Sequence, residues 1–210
     1  MRRLRLLLVL PLLTACLAQG EPVDPTVVVK GRSGAELGVA TPYGVVYLGH
    51  RAEDATVELI PAFGDGPAYE LAPSVLIAPA LRLAISDIVL PTVPLDFDAP
   101  KRGTTLTVLG REGRNRWREK VDVAVAPGVR GLLLENHGGL RRRIEGGMVG
   151  AGVYSTDDEG NLHLLGLVDG LVSVQGRTYI AVAGAGHIWP ILGHDRSIDR
   201  KRWVYRGDVL

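Results

Sequence analysis

The chain contains about a dozen short apolar runs that are rich in β-branched residues and bounded by glycine or proline. Runs of this length and composition are typical of β-strands. Two of them, TLTVL and VDVAVA, alternate with period two, as half-buried strands do. The runs are residues 26–30, 44–48, 55–60, 74–78, 86–90, 104–110, 121–126, 131–135, 152–155, 162–168, 171–175 and 178–183. They predict an all-β sandwich or barrel.

Helical patterns are scarce. We find no convincing helical stretch before residue 184. Residues 185–193, AGHIWPILG, predict a short C-terminal helix, whose length Pro190 limits because proline interrupts helical hydrogen bonding. The tail, residues 193–210, is rich in arginine and predicts a solvated extension; contact of this tail with acidic lipid headgroups is the alternative.

The N-terminus has the pattern of an export signal. Arg2, Arg3 and Arg5 precede the apolar run Leu6 to Leu13. Eight residues rise only about 12 Å as a helix, whereas a bilayer core is roughly 30 Å thick. We therefore interpret residues 1–15 as a signal peptide rather than a membrane span.

Cys16 is the single cysteine, and it follows Leu13, Thr14 and Ala15. These four residues resemble the lipobox of bacterial lipoproteins, which implies that the Cys16 thiol is acylated and becomes the new N-terminus. Leu17 after the cysteine implies the outer membrane rather than the inner one. An ordinary secretory signal with a chance cysteine is the alternative. Residues 16–25 would then be a lipid-anchored tether, and several acyl chains suffice for stable anchoring.

Charge and cysteine content exclude several classes of function. Without the three signal arginines the chain has 21 Lys and Arg against 23 Asp and Glu, a formal charge of −2. This balance gives no electrostatic basis for nucleic-acid binding. One cysteine allows neither an internal disulfide nor a cysteine-based metal site, so apolar packing must stabilise the fold.

Four segments in the second half resemble the trypsin-like serine proteases, in the family's order. Residues 146–170, GGMVGAGVYSTDDEGNLHLLGLVDG, are similar to the nucleophile loop and the strand after it, matching at Gly147, Gly150, Val153, Leu165–Val168 and Gly170. The other segments are SDIVLPTV (86–93), KRGTTLTVLGREG (101–113) and RTYIAVAGAGHIWPIL (177–192). The resemblance covers roughly residues 74–192. It implies a double six-stranded β-barrel with a short C-terminal helix, spanning residues 26–192.

The same resemblance implies that catalysis has been lost. The aspartate, serine and proline positions of the nucleophile loop carry Met148, Val149 and Gly152. An isopropyl side chain has neither a proton to give nor a lone pair for attack. Asp87 would stand at the triad aspartate. The histidine is expected within residues 55–63, which contain none.

Other groups could carry chemistry. Ser155 with His50 would be a substitute nucleophile and base, although turns explain both residues as well. The acidic turn Asp157, Asp158, Glu159 and Asn161, followed by His163, could hold Ca²⁺, but its spacing lacks the alternation of a calcium loop. The five histidines show no paired ligand spacing, so we predict neither a metal nor a cofactor.

Two basic segments, residues 111–120 and 130–147, border the predicted inter-barrel cleft. An arginine patch with an exposed tryptophan can bind acidic peptides or phosphate-rich headgroups, and a solvated hairpin is the alternative. The candidate residues are Arg116, Trp117, Arg118, Arg141, Arg142 and Arg143.

Together these features predict a lipid-anchored envelope protein with a trypsin-like fold and a binding or assembly role, through a protein or peptide partner in the cleft. Two alternatives remain open at this stage. The first is an active serine hydrolase with a misplaced nucleophile, and the second is a β-sandwich adhesion or carbohydrate-binding module.

Overall fold

A computed structural model describes residues 24–61, 69–78, 80–87, 89–96, 98–113, 115–129, 131–136, 138–145 and 149–184. It contains twelve strands and one helix within these ranges. Cys16, the nucleophile-loop residues Gly147 and Met148, the predicted C-terminal helix and the tail lie outside them. No helix among the described residues is long and apolar enough to cross a membrane.

The first six strands form a closed barrel. Its elements are β1 (Thr26–Lys30), β2 (Ala35–Thr41), β3 (Gly44–Tyr47), β4 (Thr56–Pro61), β5 (Glu70–Ala78) and β6 (Leu81–Ala84). They are ordered β1-β2-β3-β6-β5-β4, with β4 pairing back to β1. The pairs are antiparallel, and alternate side chains such as Val27, Val29 and Leu59 fill the interior.

The last six strands close a second barrel. Its elements are β7 (Thr105–Glu112), β8 (Asn115–Ala124), β9 (Leu132–Glu135), β10 (Gly152–Thr156), β11 (Leu162–Val174) and β12 (Arg177–Gly184). They are ordered β10-β11-β12-β9-β8-β7, with β7 pairing back to β10. The predicted double six-stranded barrel is therefore confirmed, and the β-sandwich alternative is wrong, because both sheets close on themselves.

The helix α1 (Gly138–Glu145) lies between β9 and β10, and the expectation of no helix before residue 184 is wrong. Leu140 and Ile144, one turn apart, pack into the second barrel's core. Arg141 and Glu145 form an ion pair across one turn on the exposed side, with 2.7 Å between Nε and Oε1. Two turns provide only two apolar positions, too few for a recognisable helical period.

The strand count agrees with the prediction, but one predicted strand is absent, two predicted strands are a single one, and two observed strands were missed. Among the described residues of 86–90 there is no strand; they lie in the connection between barrels, where Val89 is fully exposed. Residues 162–168 and 171–175 belong to one continuous strand, β11. Strands β2 and β6 were missed; β2 is buried on both faces and so lacks alternation.

The predicted tether, residues 16–25, ends inside the fold. Asp24 is buried and accepts a hydrogen bond from the Thr26 amide at 2.9 Å. Its other oxygen lies 3.2 Å from Nε of Arg116, on β8 of the second barrel. The Pro25 carbonyl accepts a hydrogen bond from the Ala40 amide at 2.8 Å. Asp24 therefore attaches the start of the first barrel to the second barrel, and Pro25 joins it to β2.

Candidate functional site

The two barrels share one apolar cluster, which we call the seam. The first barrel contributes residues such as Val39, Val46 and Leu83, and the second contributes residues such as Leu164 and Leu167. The connection between barrels also joins the second barrel through backbone bonds of 2.8 Å, from Asp96 to Leu164 and from Leu164 to Pro94. The seam is thus a packed interface, and it fixes the positions of the residues at its edge.

Val149, which the resemblance assigns to the nucleophile's position, is half-buried and packs against the seam. The next residue, Gly150, lies against both barrels. The Gly150 amide donates to the Val168 carbonyl at 2.8 Å, and a β-carbon at Gly150 would overlap the Leu37 carbonyl of the first barrel. Gly150 also has a φ of +87°, which disfavours every residue with a side chain. The loop therefore requires glycine at 150 and presents an apolar group at 149.

A histidine and a carboxylate meet across the seam beside this loop. Nε2 of His50, in the loop after β3, lies 2.7 Å from Oδ1 of Asp169 on β11. Both side chains are partly exposed, at 46% and 36%. Asp169 directly follows Val168, which bonds to the loop at Gly150. The pair is therefore linked to the Val149 loop through Val168 and Gly150.

A β-bulge sets the direction of the Asp169 side chain. On β12, consecutive residues Val182 and Ala181 pair with Val168 and Gly170, which leaves Asp169 as the extra residue of β11. A bulge inserts one unpaired residue and redirects its side chain. The bulge thus orients Asp169 towards the His50 loop of the other barrel.

Glu36 organises the loop that carries His50. Its buried carboxylate accepts hydrogen bonds from the amides of Gly49 at 2.8 Å, His50 at 3.1 Å and Ala52 at 3.3 Å. A carboxylate has enough lone pairs to accept all three. Gly49 has a φ of +76°, so the chain makes a tight turn just before His50. The position of the imidazole depends on this carboxylate in β2.

The other two candidates for catalysis lie elsewhere. Asp87 is exposed in the connection after β6, and the carboxylate bonded to His50 is that of Asp169. The Ser155 hydroxyl, within β10, donates to Asp96 and lies 3.5 Å from the His163 carbonyl. Ser155 and His50 thus have different hydrogen-bond partners, so the geometry gives no support to a substitute dyad.

The acidic turn is closed by its own hydrogen bonds. Asp157 accepts bonds from the Asn161 amide at 2.7 Å, the Asn161 side chain at 3.0 Å and the Glu159 amide at 3.0 Å. These bonds, led by those from Asn161, lower the pKa of Asp157 to about 2. A group of three or more residues suited to hold a metal does not occur in the described part of the chain. The arrangement is that of a polar hairpin turn.

Trp117 was expected to be exposed, and it is buried. Its ring covers Gly110, the residue opposite on β7, where a β-carbon would overlap the indole. The guanidinium of Arg143, on α1, lies 4.9 Å from the ring centroid, and Arg143 Nε lies 3.7 Å from Glu119. Trp117 is therefore a core residue that joins α1 to β8, which brings the two basic segments together.

The remaining arginine candidates divide between two elements. Arg141 and Arg142 are exposed on α1, and Arg116 and Arg118 are exposed on β8. Arg116 forms the ion pair with Asp24, and Arg141 forms the one with Glu145.

Tyr154 places a phenol in the seam beside the same loop. Its hydroxyl lies against Gly152, where a β-carbon would overlap it. Burial raises the pKa of Tyr154 well above its ordinary value, and the nearby Asp24 carboxylate adds to this effect. Tyr154 therefore stays neutral and contributes packing.

The comparisons with known proteins rest on structure. No family model and no curated protein matches the chain. The structure is similar to the human pathogenic astrovirus serine protease, with a TM-score of 0.53 and 14% identity over 78% of this chain and 93% of that one. It is also similar to the inactive form of the Rv3671c protease, with a TM-score of 0.55 and 18% identity over 81% of this chain and 88% of that one. For the active form from M. tuberculosis the TM-score is 0.51, with 16% identity and 81% of each chain covered.

The fold is that of the trypsin-like serine proteases. The predicted architecture is confirmed in this respect, and identities this low support the fold alone. Sequence reasoning missed three residues of the site, Glu36, His50 in its pairing role, and Asp169. Asp169 occupies the variable position of the matched LGLVDG segment, and a charged residue there was the available signal.

Proposed function

We propose that this protein is an exported, lipid-anchored member of the cell envelope that uses a trypsin-like fold for binding a protein or peptide partner and does not cleave it. The proposal rests on Val149, which the sequence resemblance assigns to the nucleophile's position and which packs against the seam. Serine-type hydrolysis needs a hydroxyl or thiol that a base can deprotonate. Valine offers neither.

The pairing of His50 supports the same conclusion. In a working triad the carboxylate holds one ring nitrogen of the histidine, and the other nitrogen, Nε2, faces the nucleophile. Here Nε2 is the atom bonded to Asp169. The pair therefore stabilises the contact between barrels rather than activating a neighbouring group.

The margin of the seam offers a partner both apolar and polar contacts. Val149 provides an apolar surface, and the partly exposed His50–Asp169 pair provides polar groups across the same seam. Small sets of polar groups next to apolar surface are what fix the orientation of a bound ligand. A peptide segment lying along the seam would make both the apolar and the polar contacts.

The catalytic part of the proposal is tested with an activity probe. The purified chain, incubated with a fluorophosphonate and with a mixed peptide library, should show neither covalent labelling nor cleavage. A Ser155→Ala variant serves as the matched control, because Ser155 is the hydroxyl of the alternative hypothesis. Labelling of the parent chain that disappears in Ser155→Ala would overturn the proposal in favour of a hydrolase.

The anchor is tested independently. Protein recovered from membranes should carry the added mass of acyl chains at Cys16, and Cys16→Ala should move the protein to the soluble fraction. Mass spectrometry of the N-terminal peptide checks this result. An unmodified Cys16 in membrane-bound protein contradicts the lipoprotein assignment and leaves the catalytic test unaffected.

A further inference from the structure

The outer face of β8 carries a row of cations. Arg116, Arg118 and Lys120 alternate with inward residues and are all exposed. Arg111 on β7 pairs directly with Arg116 across the ladder. Residues that alternate along a strand lie on one face, so these four form a continuous band. We call Arg111, Arg116, Arg118 and Lys120 the basic stripe.

Two carboxylates lie close to the stripe. Asp24 forms the ion pair with Arg116, and Asp122, two residues beyond Lys120, accepts a hydrogen bond from the Thr105 hydroxyl at 2.6 Å. Four cations against these two carboxylates leave the band positive, whereas the chain from Cys16 onward has a formal charge of −2. Positive charge is therefore concentrated on this face.

The stripe lies where the N-terminal segment enters the fold. Arg116 contacts Asp24 directly, and Lys120 is four residues further along β8, about 13 Å away at strand spacing. Between Cys16 and Asp24 there are eight residue steps, which span about 30 Å at most when fully extended. An acyl group at Cys16 would thus keep the stripe close to the membrane surface.

We propose that the basic stripe contacts the anionic phospholipid headgroups of the membrane that holds the anchor. This inference rests on the proposed lipid anchor. Guanidinium groups bind phosphate oxygens through paired hydrogen bonds, and cations near an anionic surface are attracted over about one Debye length, roughly 10 Å. The contact turns the β8 side of the second barrel towards the lipid.

Vesicle binding without the anchor tests the stripe by itself. The full chain carrying Cys16→Ala is mixed with phosphatidylethanolamine vesicles that contain or lack phosphatidylglycerol, and sedimentation measures the bound fraction. We expect affinity for the phosphatidylglycerol vesicles to fall about tenfold or more when Arg118→Glu and Lys120→Glu are added, because two attracted cations become repelled anions.

A control variant with the same change in net charge tests whether the location of the charges determines vesicle binding. Arg32→Glu with Arg51→Glu alters two exposed arginines of the first barrel and should leave vesicle affinity within about twofold of the parent, because neither residue belongs to the stripe. Circular dichroism confirms that all three chains are folded. Residues 1–15 are the same in all three, so a contribution of this segment to vesicle binding does not affect the comparison. Equal affinity of the stripe and control variants, or no dependence on phosphatidylglycerol, would overturn the proposal. Failure of acylation at Cys16 would instead refute the anchor.

Discussion

Replacing Gly150 with alanine should lower the free energy of unfolding by about 3 kcal/mol. Two effects combine. A left-handed backbone costs a residue with a β-carbon about 1–2 kcal/mol, and forcing an extra carbon into a packed site costs about 1–3 kcal/mol. At Gly150 the φ is +87° and the new carbon would overlap the Leu37 carbonyl of the first barrel. Urea denaturation measures the change.

Gly160 provides the matched control for this substitution. Its φ is +88°, nearly the same as that of Gly150, but a β-carbon there would meet nothing within 4 Å. Gly160→Ala should therefore cost only the backbone strain, about 1 kcal/mol. If the two variants lose the same stability, the contact between the Val149 loop and β2 is not tight, and the proposed position of Val149 against the seam is wrong.

Replacing Glu36 with alanine should also cost about 3 kcal/mol and should loosen the His50 loop. The substitution leaves the amides of Gly49, His50 and Ala52 without their acceptor, and each unsatisfied donor that remains buried costs about 1–3 kcal/mol. Three such donors would cost about 3–9 kcal/mol together, and water that reaches the exposed part of the loop holds the total at about 3 kcal/mol. Urea denaturation and amide hydrogen exchange in residues 49–52 measure the two effects.

Glu58→Ala is the control for Glu36→Ala. Glu58 lies on β4 of the same barrel and forms an ion pair with Lys30 at 3.0 Å, with both side chains partly exposed. Exposed pairs contribute about 0–1 kcal/mol, so this variant should remain near parent stability with normal exchange at residues 49–52. Protection of these amides that survives in Glu36→Ala would show that another group holds the loop.

Period-two runs and glycine punctuation are local signals, and they predicted a sandwich or barrel; the double six-stranded barrel followed from the resemblance to the trypsin-like proteases. The matched segment from Gly150 to Gly170 led us to predict Val149 at the nucleophile's position, and this assignment stays a prediction. Strand β2 gave no such signal: the first barrel's core covers one face, and the seam and the second barrel cover the other, so alternation disappears. Glu36 was overlooked with it, since a buried carboxylate is interpretable only when its amide donors are known.

The His50–Asp169 pair illustrates the same limit. The two residues are 119 positions apart and belong to different barrels, and their contact depends on a bulge in β11. Periodicity can indicate that Asp169 lies on a strand, but it cannot give the register that turns the side chain outward. The helix α1 was missed for a different reason: two turns with three consecutive arginines show no apolar period, and only the packed core reveals Leu140 and Ile144 as its inward face.

The attachment of Asp24 to both barrels also determines how the molecule would respond to mechanical load. Force entering at residue 24 is divided between β1, which begins at Thr26, and β8, through the Arg116 ion pair. A pull that would otherwise peel β1 from its neighbours one hydrogen bond at a time is shared with a second, separately closed sheet. A load applied at residue 24 is therefore borne by both barrels rather than by β1 alone.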